Sequence, residues 1–306
     1  YYWAARQCLK LLDVTTGLVA VTVEGPSSKE SQDEAIEEGA ELIDVGLYFG
    51  SEDLANASVV QYIQLKHSTA LASTPWTGSG LKKTISGFAE RYSQLCSQFQ
   101  TDVLKKKFCF KFFTNRSIAT DVLETLSDLA EGKTARHKSI ATLLSGYSNL
   151  SGEKLQTFFQ LFKVEGGEPG LWDQRNLLSI DTSVFLSDPD SDAAMHLKYL
   201  VSRRALSESQ SDPSIRKEDV LRAFKVDMDQ LFPAVCQIVS PTFELAREQD
   251  AEILQTISEA SSPVIVHADG GIGKSMLAMR LGASTPADSV AIVYDCYGDG
   301  LYRNAL

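Results

Sequence analysis

Two short stretches carry residue types suited to chemistry. In QYIQLKHS, residues 61–68, apolar and polar residues alternate, and Gln64 stands two positions before Lys66. In a strand that spacing points both side chains to one face. The amide and the cation therefore either decorate a wet surface or reach together into a site. In HADGGIGKS, residues 267–275, Gly273, Lys274 and Ser275 fit the phosphate-loop pattern of Gly, four residues, then Gly-Lys-Ser/Thr. Gly270, Gly271 and Gly273 let the backbone wrap phosphates with its N–H groups pointing inward, and a following helix adds the positive end of its dipole. Lys274 would bridge the β- and γ-phosphates of ATP, and Ser275 Oγ would ligate Mg2+. The first Gly of the pattern is Ala268 here, which reduces the backbone's freedom. The bland alternative is a glycine-rich turn without nucleotide; a strand before it and a helix after it favour the nucleotide.

Both stretches depend on the elements that hold them. Apolar spacing predicts a helix over residues 4–12, then strands over 18–25, 40–50 and 57–67. Residues 26–39 read as a polar loop or short exposed helix, and 69–80 as a loop rich in Ser, Thr, Pro and Gly. Leu81, Ile85, Phe88, Tyr92, Leu95 and Phe99 recur at helical spacing, and a fourth strand is expected over 107–115. From 118 to about 226 the pattern is mainly helical. A helix over 242–260, a buried strand over 263–267, the phosphate loop, a helix over 275–282 and a strand over 290–296 complete the chain. The expected fold is α/β, with a first domain over 1–230 (core about 1–116) and, over 231–306, a linker and the opening of a phosphate-loop domain.

Composition narrows the class. A length of 306 residues suffices for two cores, and 43% hydrophobic with 23% charged residues is ordinary for a globular chain. No apolar run reaches the roughly 18 residues of a membrane span. The first residues carry neither a secretory pattern nor an initiator Met, so the chain is expected to begin inside a longer protein. Cys8, Cys96, Cys109, Cys236 and Cys296 are scattered without a C-x-x-C pair, which favours a reducing, cytoplasmic compartment. A net charge of −11 argues against non-specific coating of nucleic acid. Acidic residues dominate from 13 to 53 and basic ones from 82 to 116, including Lys105, Lys106 and Lys107.

The order helix, three strands, helix, strand resembles the core of the PD-(D/E)XK nucleases. That class places an Asp on its second strand and an acid, any residue and Lys on its third. Asp44 and the Gln64-Leu65-Lys66 tripeptide stand at those positions, with Gln in the acidic place. The resemblance implies metal-assisted phosphodiester hydrolysis. Asp44 would be a hard oxygen ligand for Mg2+ or Mn2+, and Gln64 a neutral carbonyl ligand. Lys66 would position water or stabilise the five-coordinate transition state. Glu24, at the end of the first strand, would complete the negative charge that Gln64 lacks. Its bland alternative is a strand cap. His67 and His267 read as structural, Trp76 and Trp172 as loop aromatics without a duty, and Asp295 as too early for a second catalytic acid.

With both motifs in one chain, the sequence resembles the N-terminal part of the bacterial antiviral STAND NTPases, the Avs group. The segments FKFFTNRS, FELAREQDAEIL, VIVHADGGIGKS and YDCYGDGLYRN carry that likeness alongside the motifs. Such proteins join a PD-(D/E)XK effector to a STAND ATPase and a C-terminal sensor. The likeness implies that a phage protein, terminase large subunit or portal, is sensed by a segment absent here. ATP-bound protomers then form tetramers that degrade double-stranded DNA, without a membrane partner. On this view the basic run at Lys105, Lys106 and Lys107 grips DNA on assembly. Two other readings stay open. One is a regulatory ATP-binding protein whose N-terminal domain is a degenerate nuclease fold that only binds nucleic acid or protein. The other is a small-molecule kinase with an unrelated N-terminal domain.

Overall fold

The structure, a computed structural model, describes residues 1–30, 42–186, 192–206, 212–231 and 247–283. Two compact units divide the chain, Tyr1–Met228 and Asp229–Leu306.

The first unit is α/β. Helix α1 (Tyr2–Leu9) turns Ala4, Ala5, Cys8 and Leu9 inward and tightens into a 3-10 turn, Lys10–Leu12. Strands β1 (Leu18–Val23), β2 (Val45–Phe49) and β3 (Val59–Lys66) form an antiparallel meander. Helix α2 (Lys82–Gln98) and the short α3 (Thr101–Lys107) then cross over to β4 (Phe108–Thr114), which lies parallel to β3. The first four strands and α2 therefore stand where the apolar spacing puts them.

Residues 118–226 hold more sheet than their helical pattern suggests. After α4 (Thr120–Glu131), α5 (Lys138–Ser148) and α6 (Gly152–Leu161), the short β5 (Phe162–Glu165) adds a parallel edge beside β4. Beyond α7 (Leu171–Ser183) and α8 (Ala193–Arg204), the two-residue β6 (Ser214–Ile215) closes the other edge against β1, and α9 (Lys217–Phe224) follows. The sheet order is β5-β4-β3-β2-β1-β6. Segments of four and two residues are too short to show a strand period, so only their pairing reveals them. Trp172, expected in a loop, lies in the first turn of α7.

Alternation along the strands divides the core in two. Ala20, Tyr48, Val60, Tyr62, Phe110 and Phe112 face α2, whose Ile85, Phe88, Tyr92 and Leu95 are fully buried. Each such apolar side chain stabilises the fold by about 1.5–3 kcal/mol. Val21, Val23 and Ile63 point to the opposite face, where α1 packs on β1, α7 and α8 and Trp3 meets Phe113 at 4.9 Å.

The start of the acidic run is no solvated loop. Glu30 is 4% exposed and Ser27 fully buried. Tyr48 Oη donates to Glu30 Oε2 (2.6 Å) and Tyr62 Oη to Oε1 (2.7 Å), while Arg91 Nη2 of α2 forms an ion pair with Oε1. Ser27 N donates to Tyr48 Oη at 2.9 Å. A buried carboxylate persists only when its oxygens are satisfied in this way. Residues 31–41 of the same run lie outside the described residues.

In the second unit, α10 (Glu248–Glu259) and α11 (Lys274–Ala283) flank the phosphate-loop segment. The expected strand over 263–267 is not formed: these residues make no ladder, and Ile265 is 84% exposed. A strand exists only through pairing, and no described segment of this unit pairs with it. The strand expected over 290–296, with Asp295, and the linker over 232–246 lie outside the described residues.

Candidate active site and phosphate loop

The ends of three adjacent strands bring the predicted residues into one row. The β1/β2 register ends at Val23 opposite Val45, and the next step is sealed by a hydrogen bond from Glu24 N to Asp44 O at 3.0 Å. The β2/β3 register pairs Val45 with Ile63, so Asp44 comes opposite Gln64. Asp44 itself precedes β2 by one residue rather than lying within it. At that position its carboxylate replaces the ladder: Oδ2 accepts from Leu65 N at 2.6 Å. Positions 24, 44 and 64 therefore form a row across the strand ends, with Lys66 two residues further along β3 and the Tyr1 amino group within electrostatic reach of both acids.

The turn that carries Glu24 is specially built. Glu24 has φ 56°, one of three non-glycine residues with positive φ among those described. That conformation costs roughly 1–2 kcal/mol for an ordinary side chain, and such outliers concentrate at functional sites. Thr22 Oγ1 donates to Gly25 O at 2.6 Å and locks the turn from below. The Glu30 network secures it a few residues later. These supports carry no motif. Arg91, set on the apolar stripe between Phe88 and Leu95, is the one clue the sequence offered.

Electrostatics single out the two acids. Burial raises the Asp44 carboxyl, with the Leu65 N–H and Lys66 pulling the other way. Glu24 opens to solvent on one side and is enclosed on the other. That enclosure, followed by the charge of Asp44, raises its carboxyl too. Two carboxylates that disfavour each other's charge, with hard oxygens, suit a divalent cation such as Mg2+. Among the described residues no group of three or more His, Cys, Asp or Glu is placed to hold a metal, so any such ion would rest on this pair and neutral oxygens.

Gln64 and Lys66 differ in surroundings. Gln64 is 2% exposed, and its Oε1 accepts from Thr84 Oγ1 in the first turn of α2. Lys66 is exposed. The Gln64 carbonyl is thus already engaged by the protein, while the Lys66 ammonium stands free to meet a phosphate. His67 is exposed beyond it, and Trp76 packs on Phe112 at 5.2 Å beneath the Arg116 guanidinium.

The basic run at 105–107 lies elsewhere. Phe108, just after it, pairs with Val60, whereas Lys66 pairs with Thr114. Six strand residues, about 20 Å, therefore separate the run from the row. Lys107 is also consumed structurally: its Nζ donates to Ala55 O at 3.1 Å and it is 7% exposed. The run expected to grip DNA on assembly therefore stands apart from the row.

In the second unit the loop closes on its own lysine. Lys274 Nζ donates to Ala268 O (2.7 Å) and Asp269 O (2.8 Å). Gly271 and Gly273 adopt φ 80° and 92°, which glycine alone enters freely. Ala268 is not among the positive-φ residues, so alanine is accommodated there without strain. A Cβ at Gly270 would meet open space, whereas one at Gly273 would come 3.1 Å from Arg247 Nη2. Ser275 follows Lys274 in the first turn of α11, exposed.

Comparison of the sequence with protein-family models finds no match, and neither does comparison with curated proteins. Among the described residues no helix is long and apolar enough to cross a membrane.

Proposed function

We propose that the first unit is a metal-dependent endonuclease of the PD-(D/E)XK type acting on double-stranded DNA. The observation that carries this reading is the row at the strand ends: Glu24 in a strained turn, Asp44 against Leu65 N, and an exposed Lys66 beside them. Asp44 and Glu24 would hold Mg2+ or Mn2+, and the ion would supply positive charge against the phosphate oxygens. Lys66 contributes its ammonium to an oxygen of the scissile phosphate as charge accumulates. Water oxygen bonds to phosphorus, the bridging P–O bond breaks, and the leaving oxygen takes up a proton. Gln64, held by Thr84, fixes the β3 backbone beside the acids rather than offering a free ligand.

The second unit, in the same reading, is the start of a STAND-type NTPase that binds ATP through Gly271, Gly273, Lys274 and Ser275. It governs the nuclease in a cytoplasmic antiphage effector assembled as a tetramer on a phage-protein trigger, terminase or portal. Lys274, resting on the carbonyls of residues 268 and 269, would exchange them for phosphate oxygens. A second reading has one observation in its favour. With Gln64 buried and engaged, the row has two acids where three would hold a cation more firmly, as in a fold that binds DNA without cutting it.

Plasmid cleavage by the parent protein with Mg2+, ATP and its trigger separates the two. Wild type is expected to cut, and Lys66→Ala and Lys274→Ala to fail at matched folding. A wild type that binds ATP and DNA yet leaves plasmid intact across Mg2+ and Mn2+ refutes the enzyme reading.

A further inference from the structure

A cavity of about 150 Å3 opens beside Lys66, between the strand ends and the helices laid across them. Phe113 of β4 lines it from the sheet, and Tyr2 and Trp3 of α1 with Leu171 of α7 line it from the helices. Its surface is almost wholly apolar. An apolar pocket on which a few polar groups converge is the usual form of a small-molecule site.

The rings differ in what they already do. Trp3 meets Phe113 at 4.9 Å and so belongs to the packing of α1 on the sheet. Tyr2 is half-buried, and its side chain makes no hydrogen bond or ring contact among the described residues. Two charges border this apolar space. Lys66 pairs with Thr114 on one side of β4, and Glu168 N donates to Thr114 O at 3.0 Å on the other. Two strand spacings, about 10 Å, therefore separate the two backbones, and both side chains line the cavity. Glu168 Oε2 accepts from Gln174 Nε2 at 3.3 Å, while its Oε1 has no partner among the described residues. Lys66 is exposed and acts on Asp44 and Glu24 across the row. An aliphatic side chain would suit the rings but neither charge. A nucleotide matches all three: a π-face for the rings, an amino edge for the carboxylate, as cytosine N4 offers, and a phosphate for the lysine.

We infer that this cavity takes an unpaired nucleobase bearing an exocyclic amino group, from the strand whose phosphate lies at Lys66. The identity of that strand as the one being cut rests on the nuclease reading; the shape and charges of the cavity do not. A base held here has left the duplex stack, as in enzymes that extrude a nucleotide into a pocket.

The test is anisotropy of fluorescein-labelled tetramers of deoxycytidine, of thymidine and of abasic deoxyribose, with the full parent protein in EDTA so that nothing is cleaved. The three probes carry equal charge, so a difference between them comes from the bases. Wild type should bind the cytidine tetramer about tenfold more tightly than the abasic one, and about threefold more tightly than the thymidine one. Tyr2→Ala removes a ring from the rim, outside the core, and should bring the cytidine tetramer to within about twofold of the abasic one. Glu168→Gln should keep the advantage of bases over abasic sites and abolish that of cytidine over thymidine. Equal binding of the three tetramers by wild type overturns the assignment, as does full base dependence in a folded Tyr2→Ala variant. A preference for thymidine would overturn Glu168 as the group that meets the base edge. If base-dependent binding is seen, and is lost in Tyr2→Ala, while wild type cuts plasmid under no metal, the nuclease reading fails and the cavity stands. If wild type cuts but binds the three tetramers alike, the cavity fails alone.

Discussion

Replacing Arg91 by Met tests whether the sheet unit depends on a buried ion pair to hold the turn that carries Glu24. Arg91 and Glu30 have side-chain exposures of 1% and 0%, and Met approximates the length of the arginine stem. The substitution leaves Glu30 with its two tyrosine donors and no counter-charge. Removing one partner of a buried pair costs about 3–5 kcal/mol, because the remaining charge is uncompensated. For a unit of this size each kcal/mol lowers the melting temperature by about 2–4 °C, so the drop should be roughly 6–20 °C. Glu30→Gln/Arg91→Met removes both charges and keeps one acceptor oxygen for the two tyrosine donors, so it should recover part of the loss. Scanning calorimetry of the three proteins reads both quantities. A single variant within 2 °C of wild type, or a double variant no more stable than the single, would refute the argument. The first result would mean that the pair contributes little, the second that packing of the arginine stem matters rather than charge.

Two further outcomes are expected. Asp44 and Glu24 have carboxyls raised in the folded state, so the fold binds their protons more tightly than the unfolded chain does. Stability from these groups is complete below the ordinary carboxyl range and is lost as pH rises through the raised values. Asp44→Asn, which keeps an acceptor for Leu65 N, should therefore melt higher than wild type at pH 7, with the gap closing near pH 4. Mg2+ at ten times its dissociation constant should add about 1.4 kcal/mol to wild type and nothing to the variant; equal Mg2+ shifts would count against a cation at the row. In the phosphate loop, Gly273→Ala forces alanine into φ 92° against Arg247 and should weaken labelled-ATP binding at least tenfold, about 1.4 kcal/mol. Gly270→Ala, facing open space, should stay within twofold. Equal effects at both positions would mean that the loop's backbone angles do not set affinity.

How much of this was legible in the sequence differs with the length and locality of each signal. The eight residues of β3 and the seventeen of α2 are long enough to show a period, and both elements form where that period predicts. Asp44 was correctly grouped with Gln64 and Lys66 because strand pairing is a local consequence of the meander. Its replacement of a ladder bond to Leu65 was not visible, because that depends on where β2 starts. Gln64 was read as a free ligand because the sequence does not say that Thr84 lies over it. The distance of the basic run from the row was not legible, because charge density along the chain carries no information about which end of a strand it occupies. Glu30 looked like one acid among many on a solvated stretch. Only the tertiary contact with Arg91, 61 residues later, distinguishes it from its neighbours.

The position of the row follows from the topology of β3. This strand pairs antiparallel with β2 on one side and parallel with β4 on the other, so the sheet changes character along it. Antiparallel pairing brings the end of β1, the start of β2 and the end of β3 to one edge, which gathers Glu24, Asp44 and Gln64 without a long connection. Parallel pairing with β4 then requires a crossover. The chain leaves β3 at Lys66 through a largely exposed loop and returns as α2, whose first turn covers Gln64 but stops short of Lys66. One residue of the tripeptide is thereby buried and the other left open. The same crossover brings Lys82 and Lys83 to the head of α2, beside Thr84. Lys82 turns to the Tyr147 ring, whereas Lys66 and the Tyr1 amino group are the cations that act on Glu24 and Asp44, whose raised carboxyls lower stability until a cation offsets their charge. An arrangement that costs stability and leaves Lys66 open at the strand ends fits the phosphate-handling site proposed above.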